Sequence, residues 1–211
     1  MNQILFSGNN ENYKKSKNKL KKFKVQLLIS LVLILCSIIY FLYFSYRRNE
    51  KEKISKSLLS SFNLERIYSN EESYMTVKLN ENYNFFVIGI INIPKINIQY
   101  PILSDTNDEF LKISACRFFG PYPNEIGNLC IAAHNYNDSR FFSNLNKLTI
   151  GDSINISDSS NKVITYYVYD KFEVSDNNIY CMNQDTGGKR EVTLVTCNNV
   201  SKNRLIVKAK E

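Results

Sequence analysis

One segment near the N-terminus constrains this chain more than any other. The 20 residues from Val25 to Phe44, VQLLISLVLILCSIIYFLYF, contain no charged side chain. A helix of about 20 apolar residues spans the hydrocarbon core of a bilayer. A cleaved signal peptide is the alternative, but its apolar region runs to about 7–15 residues and precedes a small-residue cleavage site. This segment is longer and runs into SYRRNEK, so it predicts a retained transmembrane signal anchor over residues 25–44.

The charged residues are unevenly distributed, and their distribution indicates the orientation of the anchor. Of the net charge of +7, residues 1–24 carry +6 and residues 45–57 carry +3, which leaves −2 for residues 58–211. The more basic flank of a membrane span stays inside the cell, so residues 1–24 are predicted to form a cytoplasmic tail, with the rest of the chain outside. Nucleic-acid binding is not expected, because it needs a basic face on the folded domain itself.

Beyond the anchor, the sequence pattern changes at about residue 85. Residues 45–84 are predicted to form a juxtamembrane helix followed by a linker, since SKSLLSSFNLERIYS has apolar residues at loosely helical spacing and NEESYMTVKLNENYN is polar. From Phe85 onward, short β-branched and aromatic runs are separated by turn residues and by short helical segments. This pattern indicates an all-β domain over residues 85–211, either a closed β-barrel or a β-sandwich.

The predicted extracellular part contains four cysteines: Cys116, Cys130, Cys181 and Cys197. Four cysteines allow three disulfide pairings, but a domain of this size does not depend on such cross-links. We therefore expect the four to be free or only partly paired. The chain has no CxxC motif and one histidine, so a zinc site is not expected. No metal or other cofactor is predicted.

Three side chains that could take part in catalysis lie at the ends of predicted strands. His134 ends LCIAAH, Cys197 ends EVTLVTC, and Arg204 opens RLIVKAK seven residues after the cysteine. Each also has an ordinary interpretation, as a satisfied histidine, a buried thiol or a solvated guanidinium. Together they match a nucleophilic site, in which an imidazole activates the thiol and a cation stabilises the oxyanion formed by attack on an amide. Spacing alone leaves open whether the three converge.

These segments resemble the sortase family. TLVTC, which ends at Cys197, fits the sortase signature T-L-x-T-C, and GNLCIAAH, which ends at His134, is similar to the segment that carries the sortase histidine. IGIINIPKINIQYPIL resembles the opening strands of the sortase barrel, and NRLIVKAK resembles the last strand with its arginine. The family commonly has glycine before the histidine, where this chain has Ala133. The resemblance covers residues 85–211, and the N-terminal anchor fits it as well.

The resemblance implies a closed eight-stranded β-barrel and the activity of a cysteine transpeptidase of Gram-positive bacteria. Such an enzyme cleaves an LPXTG-like sorting motif near the C-terminus of a secreted protein, and an amine of a peptidoglycan precursor resolves the thioacyl intermediate. By position, Cys197 would be the nucleophile, His134 the acid–base partner and Arg204 the group that holds substrate and oxyanion. Thr196 would add a backbone or hydroxyl contact beside the oxyanion.

The subclass and the exact activity have alternatives. The short span before TLVTC leaves little room for the inserted helix of class B, which favours a class D-like or housekeeping-like sortase. A thiol peptidase that cleaves without transfer would use the same residues. A membrane-anchored barrel that binds cell-wall or protein ligands without catalysis is the second alternative, and a degenerate sortase kept as a scaffold is the third.

Overall fold

The computed structural model describes residues 4–68, 75–80, 83–136 and 138–211. This part of the chain contains two α-helices, α1 (Ile4–Tyr68) and α2 (Asp108–Leu111). It also contains nine β-strands, which are β1 (Met75–Asn80), β2 (Tyr83–Ile93), β3 (Ile98–Leu103), β4 (Ala115–Phe119), β5 (Gly127–Ala132), β6 (Ser153–Asp158), β7 (Val163–Val174), β8 (Arg190–Cys197) and β9 (Arg204–Lys210). Short 3₁₀ helices lie at Pro94–Ile96, Leu145–Lys147 and Tyr180–Met182.

The strands form one sheet that closes on itself. Their order is β1-β2-β3-β4-β5-β8-β9-β7-β6, and β2 also pairs antiparallel with β6, with Ile91 opposite Ile156. Eight strands, β2 to β9, therefore make a closed ring, and β1 lies outside it as an additional partner of β2. The closed eight-stranded β-barrel that the resemblance implied is confirmed.

Strand β1 lies in the segment that the sequence pattern assigned to a linker. It pairs antiparallel with the start of β2, from Met75 opposite Val87 to Asn80 opposite Tyr83. A strand forms here because the open edge of β2 offers backbone donors and acceptors, and that pairing does not require an apolar pattern. The β-structure therefore begins before residue 85.

The main hydrophobic core fills the interior of the barrel. In β7, Ile164, Tyr166 and Val168 are buried in this core and alternate with residues that are more exposed, as expected for a strand with one face inward. Strand β5 differs, because it is buried on both faces. Its second face is covered by the chain between β7 and β8, to which Asn128 is hydrogen-bonded. This covered face lies beside the candidate site.

A second hydrophobic cluster includes the last turns of α1. The chain divides into two compact units, one ending at Glu50 and the other beginning at Lys51. Within the second unit, Leu58 and Phe62 are buried against apolar residues that run from β2 to β4, namely Val87, Ile90, Leu103, Phe110, Ile113 and Cys116. The part of α1 after Lys51 thus contributes to the core of the second unit.

The first unit is formed by the part of α1 up to Glu50. Its apolar side chains between Val25 and Phe44 are exposed. Among the described residues, α1 is the helix long and apolar enough to cross a membrane, with a mean hydropathy of 2.7 in its most apolar window. A candidate membrane span therefore occupies the position predicted for the anchor.

Candidate active site

Two parallel strands bring the histidine and the cysteine to one edge of the barrel. Strands β5 and β8 are hydrogen-bonded neighbours that run in the same direction, with Ala132 opposite Val195. His134 follows the end of β5, and Cys197 is the last residue of β8. Because neighbouring parallel strands with this register end together, both residues lie at the same end of the barrel.

The β8–β9 hairpin places an arginine beside the thiol. The two strands are antiparallel, with Cys197 opposite Arg204. The turn between them is closed by hydrogen bonds from Asn198 N to Asn203 O (2.8 Å) and from Lys202 N to Asn198 O (3.0 Å). As a result, Nη1 of Arg204 lies 2.6 Å from Sγ of Cys197.

His134, Cys197 and Arg204 all line one cavity of about 480 Å³. Its other walls come from α2, from the end of β4 and from the chain between β7 and β8, and they include the apolar residues Leu111 and Ile179. Pockets of about 300–1,000 Å³ accommodate small ligands, so the cavity can hold a short peptide segment. Within the described part of the chain, no three His, Cys, Asp or Glu side chains are grouped so as to hold a metal ion.

The imidazole of His134 is half-buried and lies among several charges. Burial has the largest effect and lowers its pKa below the ordinary value; the Asp108 carboxylate opposes this shift, while the cations Lys112 and Arg140 reinforce it. At neutral pH the imidazole of the free site is therefore neutral and can accept a proton. As the pH falls below the ordinary pKa of histidine, the folded state loses stability, because the unfolded chain binds the proton more readily.

A titration of His134 tests this environment directly, because the chain has one histidine. With ¹³C-labelled histidine in the full chain in detergent micelles, the imidazole NMR signal is expected to titrate with a pKa below 6.5. Asp108→Asn should lower this pKa further, since it removes the carboxylate that favours the protonated ring. Asp170→Asn, at an exposed position of β7, is the control and should leave the titration unchanged. A pKa that rises in Asp108→Asn would contradict the proposed electrostatics.

Burial separates Cys197 from the other cysteines of the barrel. Cys116, Cys130 and Cys181 are buried free thiols, whereas Cys197 is a free thiol that is partly exposed. Burial raises the pKa of Cys130 to about 12 and also raises the pKa of Cys116 and Cys181. The thiolate is the nucleophilic form of cysteine. The three buried thiols are therefore held in the unreactive form, while Cys197 has a cation in direct contact.

Thr196 precedes the nucleophile, and its hydroxyl already has a partner in the protein. Its side chain is buried, and its hydroxyl donates a hydrogen bond to the carbonyl oxygen of Ala133 at 2.8 Å. A hydroxyl has one proton to donate, so this hydroxyl is not available to an oxyanion. It connects β8 to the segment that carries His134. Ala133 itself does not have a positive φ, so the alanine at this position needs no strained backbone.

Sequence reasoning missed the polar contacts that hold one wall of the cavity. The Asn128 side chain is fully buried; it donates to the carbonyl oxygens of Cys181 and Asn183, both at 3.1 Å, and accepts from the Thr193 hydroxyl at 2.8 Å. Gln184 adds hydrogen bonds to the backbone N–H and carbonyl of Asn128. These bonds fix the chain between β7 and β8 against β5. An asparagine inside the apolar run GNLCIAAH was the available signal, because a buried amide needs partners.

A closed barrel with a thiol, an imidazole and a guanidinium in one cavity is suited to cysteine-based attack on a carbonyl group. Residues 91–211, more than half of the chain, match the sortase domain. Among solved structures, the Clostridium perfringens Sortase D5 transpeptidase is 29% identical, with a TM-score of 0.63 over 75% of this chain and 98% of that one. The pilus-related Sortase C of Group B Streptococcus is 32% identical, with a TM-score of 0.53 over 58% of this chain and 66% of that one. The chain therefore belongs to the sortase family.

A curated relative supports the same family. Sortase A of Bacillus anthracis is 29% identical over 124 residues, which are 56% of this chain and 55% of that protein. The chain thus spans about half the length of this curated relative.

Proposed function

We propose that this protein is a membrane-anchored cysteine transpeptidase that cleaves an LPXTG-like sorting motif and transfers the acyl part to a cell-wall amine. The observation that carries this proposal is the 2.6 Å contact between Arg204 and the sulfur of Cys197, in the cavity that His134 also lines. Membership of the sortase family supports it. The proposed substrates are secreted proteins with a C-terminal sorting signal, and the proposed acceptor is an amine of a peptidoglycan precursor.

In the first step, the sulfur of the Cys197 thiol attacks the carbonyl carbon of the motif threonine and forms a carbon–sulfur bond. His134 takes up the thiol proton, and the carbonyl electron pair moves to oxygen, where the guanidinium of Arg204 stabilises the negative charge. When the intermediate collapses, the carbon–nitrogen bond breaks and the imidazolium gives its proton to the departing amine. The products are a thioester on Cys197 and a free peptide amine.

In the second step, an incoming amine attacks the thioester. The neutral imidazole of His134 accepts a proton from this amine, a new carbon–nitrogen bond forms, and the carbon–sulfur bond breaks. Cys197 then regains its proton from the imidazolium. Water in place of the amine gives hydrolysis, so the thiol-peptidase alternative differs only in the second nucleophile. The lowered pKa of His134 suits it to accept this proton at neutral pH.

The full chain in detergent micelles, incubated with a panel of LPXTG-like peptides and an amine, tests the proposal. We expect an acyl adduct in the intact mass, located at Cys197 by peptide mapping, together with a peptide–amine product. Hydrolysis alone at saturating amine would support the thiol peptidase. If no peptide is cleaved and iodoacetamide does not alkylate Cys197 in the native state, the chain is a non-catalytic binding barrel.

Removal of the guanidinium should slow the reaction strongly. Arg204→Ala is expected to lower kcat/KM about 10²–10³-fold, the usual effect of losing one oxyanion donor. Arg204→Lys should recover part of the activity, because it keeps the charge without the planar fork. Arg190→Ala, at the opposite end of β8, is the matched control and should leave the rate per folded molecule unchanged. Equal losses in Arg190→Ala and Arg204→Ala would contradict the assignment.

We also propose a topology and a subclass. Residues 25–44 span the membrane, residues 1–24 lie in the cytoplasm, and the barrel lies outside the cell. The exposed apolar side chains of this part of α1 and the charge of +6 on residues 1–24 support this orientation. The likeness to the Clostridium perfringens Sortase D5 transpeptidase over nearly all of that chain supports a class D-like enzyme.

A further inference from the structure

The segment that carries His134 is hydrogen-bonded to strand β8 on both sides of the histidine. On one side, Ala133 N donates to Val195 O at 3.2 Å, and the Thr196 hydroxyl donates to Ala133 O at 2.8 Å. On the other side, Nδ2 of Asn135 donates to the carbonyl oxygen of Cys197 at 2.7 Å. The imidazole therefore projects from a short stretch of backbone that is held at both ends.

The contact made by Asn135 differs from the other two because it reaches the nucleophile's own residue. It joins the residue directly after His134 to the carbonyl group of Cys197, 62 positions further along the chain. The backbone carbonyl of Asn135 in turn accepts a hydrogen bond from Nδ2 of Asn199 at 3.1 Å. Two asparagine side chains thus connect the histidine segment with the start of the β8–β9 turn.

The chain beyond Asn135 is held as well. Asn135 forms an isolated antiparallel bridge with Phe141, and Phe142 N donates to the carbonyl oxygen of His134 at 3.1 Å. Phe141 and Phe142 are both buried in the main core. The segment on which Asn135 lies is therefore anchored in the core. The side-chain hydrogen bond of Asn135 then holds the backbone of Cys197 to this anchored segment.

We propose that Asn135 is a positioning residue that sets the distance and orientation between the His134 imidazole and the Cys197 sulfur. Its amide holds the backbone of the cysteine, while its own backbone holds the histidine. A misplacement of about 1 Å between reacting groups can cost about 10²-fold in rate. The role of Asn135 in turnover rests on the proposed function, whereas its role in fixing the two side chains does not.

The chemistry of the contact requires an amide donor. In Asn135→Ala the carbonyl oxygen of Cys197 loses its partner. In Asn135→Asp a carboxylate oxygen would face that carbonyl oxygen and repel it, since an ionised carboxylate has no proton to donate. Both variants should therefore break the hydrogen bond between the side chain of residue 135 and the carbonyl oxygen of Cys197. Asn155→Ala is the matched control: Asn155 is a half-buried asparagine of β6 whose side chain accepts a hydrogen bond from Thr165 at 2.9 Å, and it does not line the cavity.

The first test compares two substrates of the full chain that differ in leaving group. A peptide amide needs a proton from His134 to release its amine, whereas a thioester of the same acyl group releases a thiolate without that help. The second step, in which His134 deprotonates the amine, is common to both substrates, so the acylation rate is measured in a single turnover without amine. Asn135→Ala is expected to lower this rate by about 10–100-fold on the amide and by much less on the thioester. Asn155→Ala should leave the acylation rate on both substrates unchanged. Equal losses on both substrates, or no loss on the amide, would overturn the proposal.

The second test does not depend on turnover. The signal of the one histidine is titrated in the full chain before and after Cys197 is alkylated with iodoacetamide. Asp108, Lys112 and Arg140, which act on His134, and Asp176 and Arg204, which line the same cavity, are present in both titrations. The difference therefore reports the coupling between His134 and the thiol.

Alkylation places an acetamide group on Cys197 in the cavity that His134 also lines, so it should shift the His134 titration in the unmodified chain and in Asn155→Ala. In Asn135→Ala and Asn135→Asp the shift should be clearly smaller. A shift of undiminished size in both variants, or no shift in the unmodified chain, would overturn the proposal. If the coupling is present and depends on Asn135 while no peptide is cleaved, the positioning role stands and the proposed transpeptidase activity fails.

Discussion

Replacement of Cys197 by alanine is expected to abolish cleavage and transfer together, with turnover lower by roughly 10⁴-fold or more. The sulfur of this residue would form the acyl bond, so the variant has no atom on which the intermediate can be built. Cys116, Cys130 and Cys181 cannot substitute, because they are buried and burial raises their pKa. The measurement is kcat/KM with sorting-motif peptides, together with the intact mass, which should show no acyl adduct.

The matched control for this variant is Cys116→Ala, which makes the same change of atoms at another site. Cys116 is buried in the second hydrophobic cluster and does not line the cavity. Its replacement should leave the rate per folded molecule unchanged. A loss smaller than about 100-fold in Cys197→Ala would show that the site has been assigned to the wrong thiol.

Replacement of Phe62 by alanine is expected to lower the free energy of unfolding by about 3–5 kcal/mol. Phe62 is fully buried in the second cluster, where the last turns of α1 meet apolar residues of β2, β3, α2 and β4. Truncation of the ring removes its transfer free energy and leaves a cavity between the helix and the barrel. Because the chain has no tryptophan, urea unfolding of the full chain in mild detergent is best followed by the near-UV circular dichroism of tyrosine.

Phe119→Ala provides the comparison for that stability measurement. Phe119, at the end of β4, is 49% exposed, so its replacement should change the free energy of unfolding by no more than about 0.5 kcal/mol. If Phe62→Ala costs as little as Phe119→Ala, the helix rests on the barrel without contributing to its core. In that case a fragment that begins after α1 should remain stable.

The features of this protein that could be predicted from its sequence are local ones. A run of uncharged residues predicts a membrane span because the bilayer fixes the length that such a helix needs. The strands β5 and β8 are recognisable as apolar runs, and His134 and Cys197 stand at their ends in motifs that resemble those of sortases. The seven-residue spacing between Cys197 and Arg204 suits a short hairpin, and the structure shows these two residues opposite each other.

The features that could not be predicted join parts of the chain that are far apart. Strand β1 lies in a polar segment, and it is a strand because β2 offers it an edge. Asn128 was passed over inside an apolar run, although its amide holds the wall of the cavity. The sequence left open a backbone or a hydroxyl contact from Thr196 to an oxyanion, and it gave no sign that the hydroxyl donates its proton to Ala133 O.

The sequence by itself determined which chemical groups this protein has and that Cys197 and His134 stand at strand ends. Local hydrophobic pattern and motif are sufficient for that, because β5 and β8 are apolar runs that end where polar residues begin. Only the tertiary structure decided that β5 and β8 are parallel neighbours, that Asn135 reaches the carbonyl of Cys197, and that Phe62 belongs to a core. The physical reason is that pairing between strands far apart in the chain, such as β5 with β8, decides which strand ends become neighbours, and a linear pattern of residues does not encode that pairing.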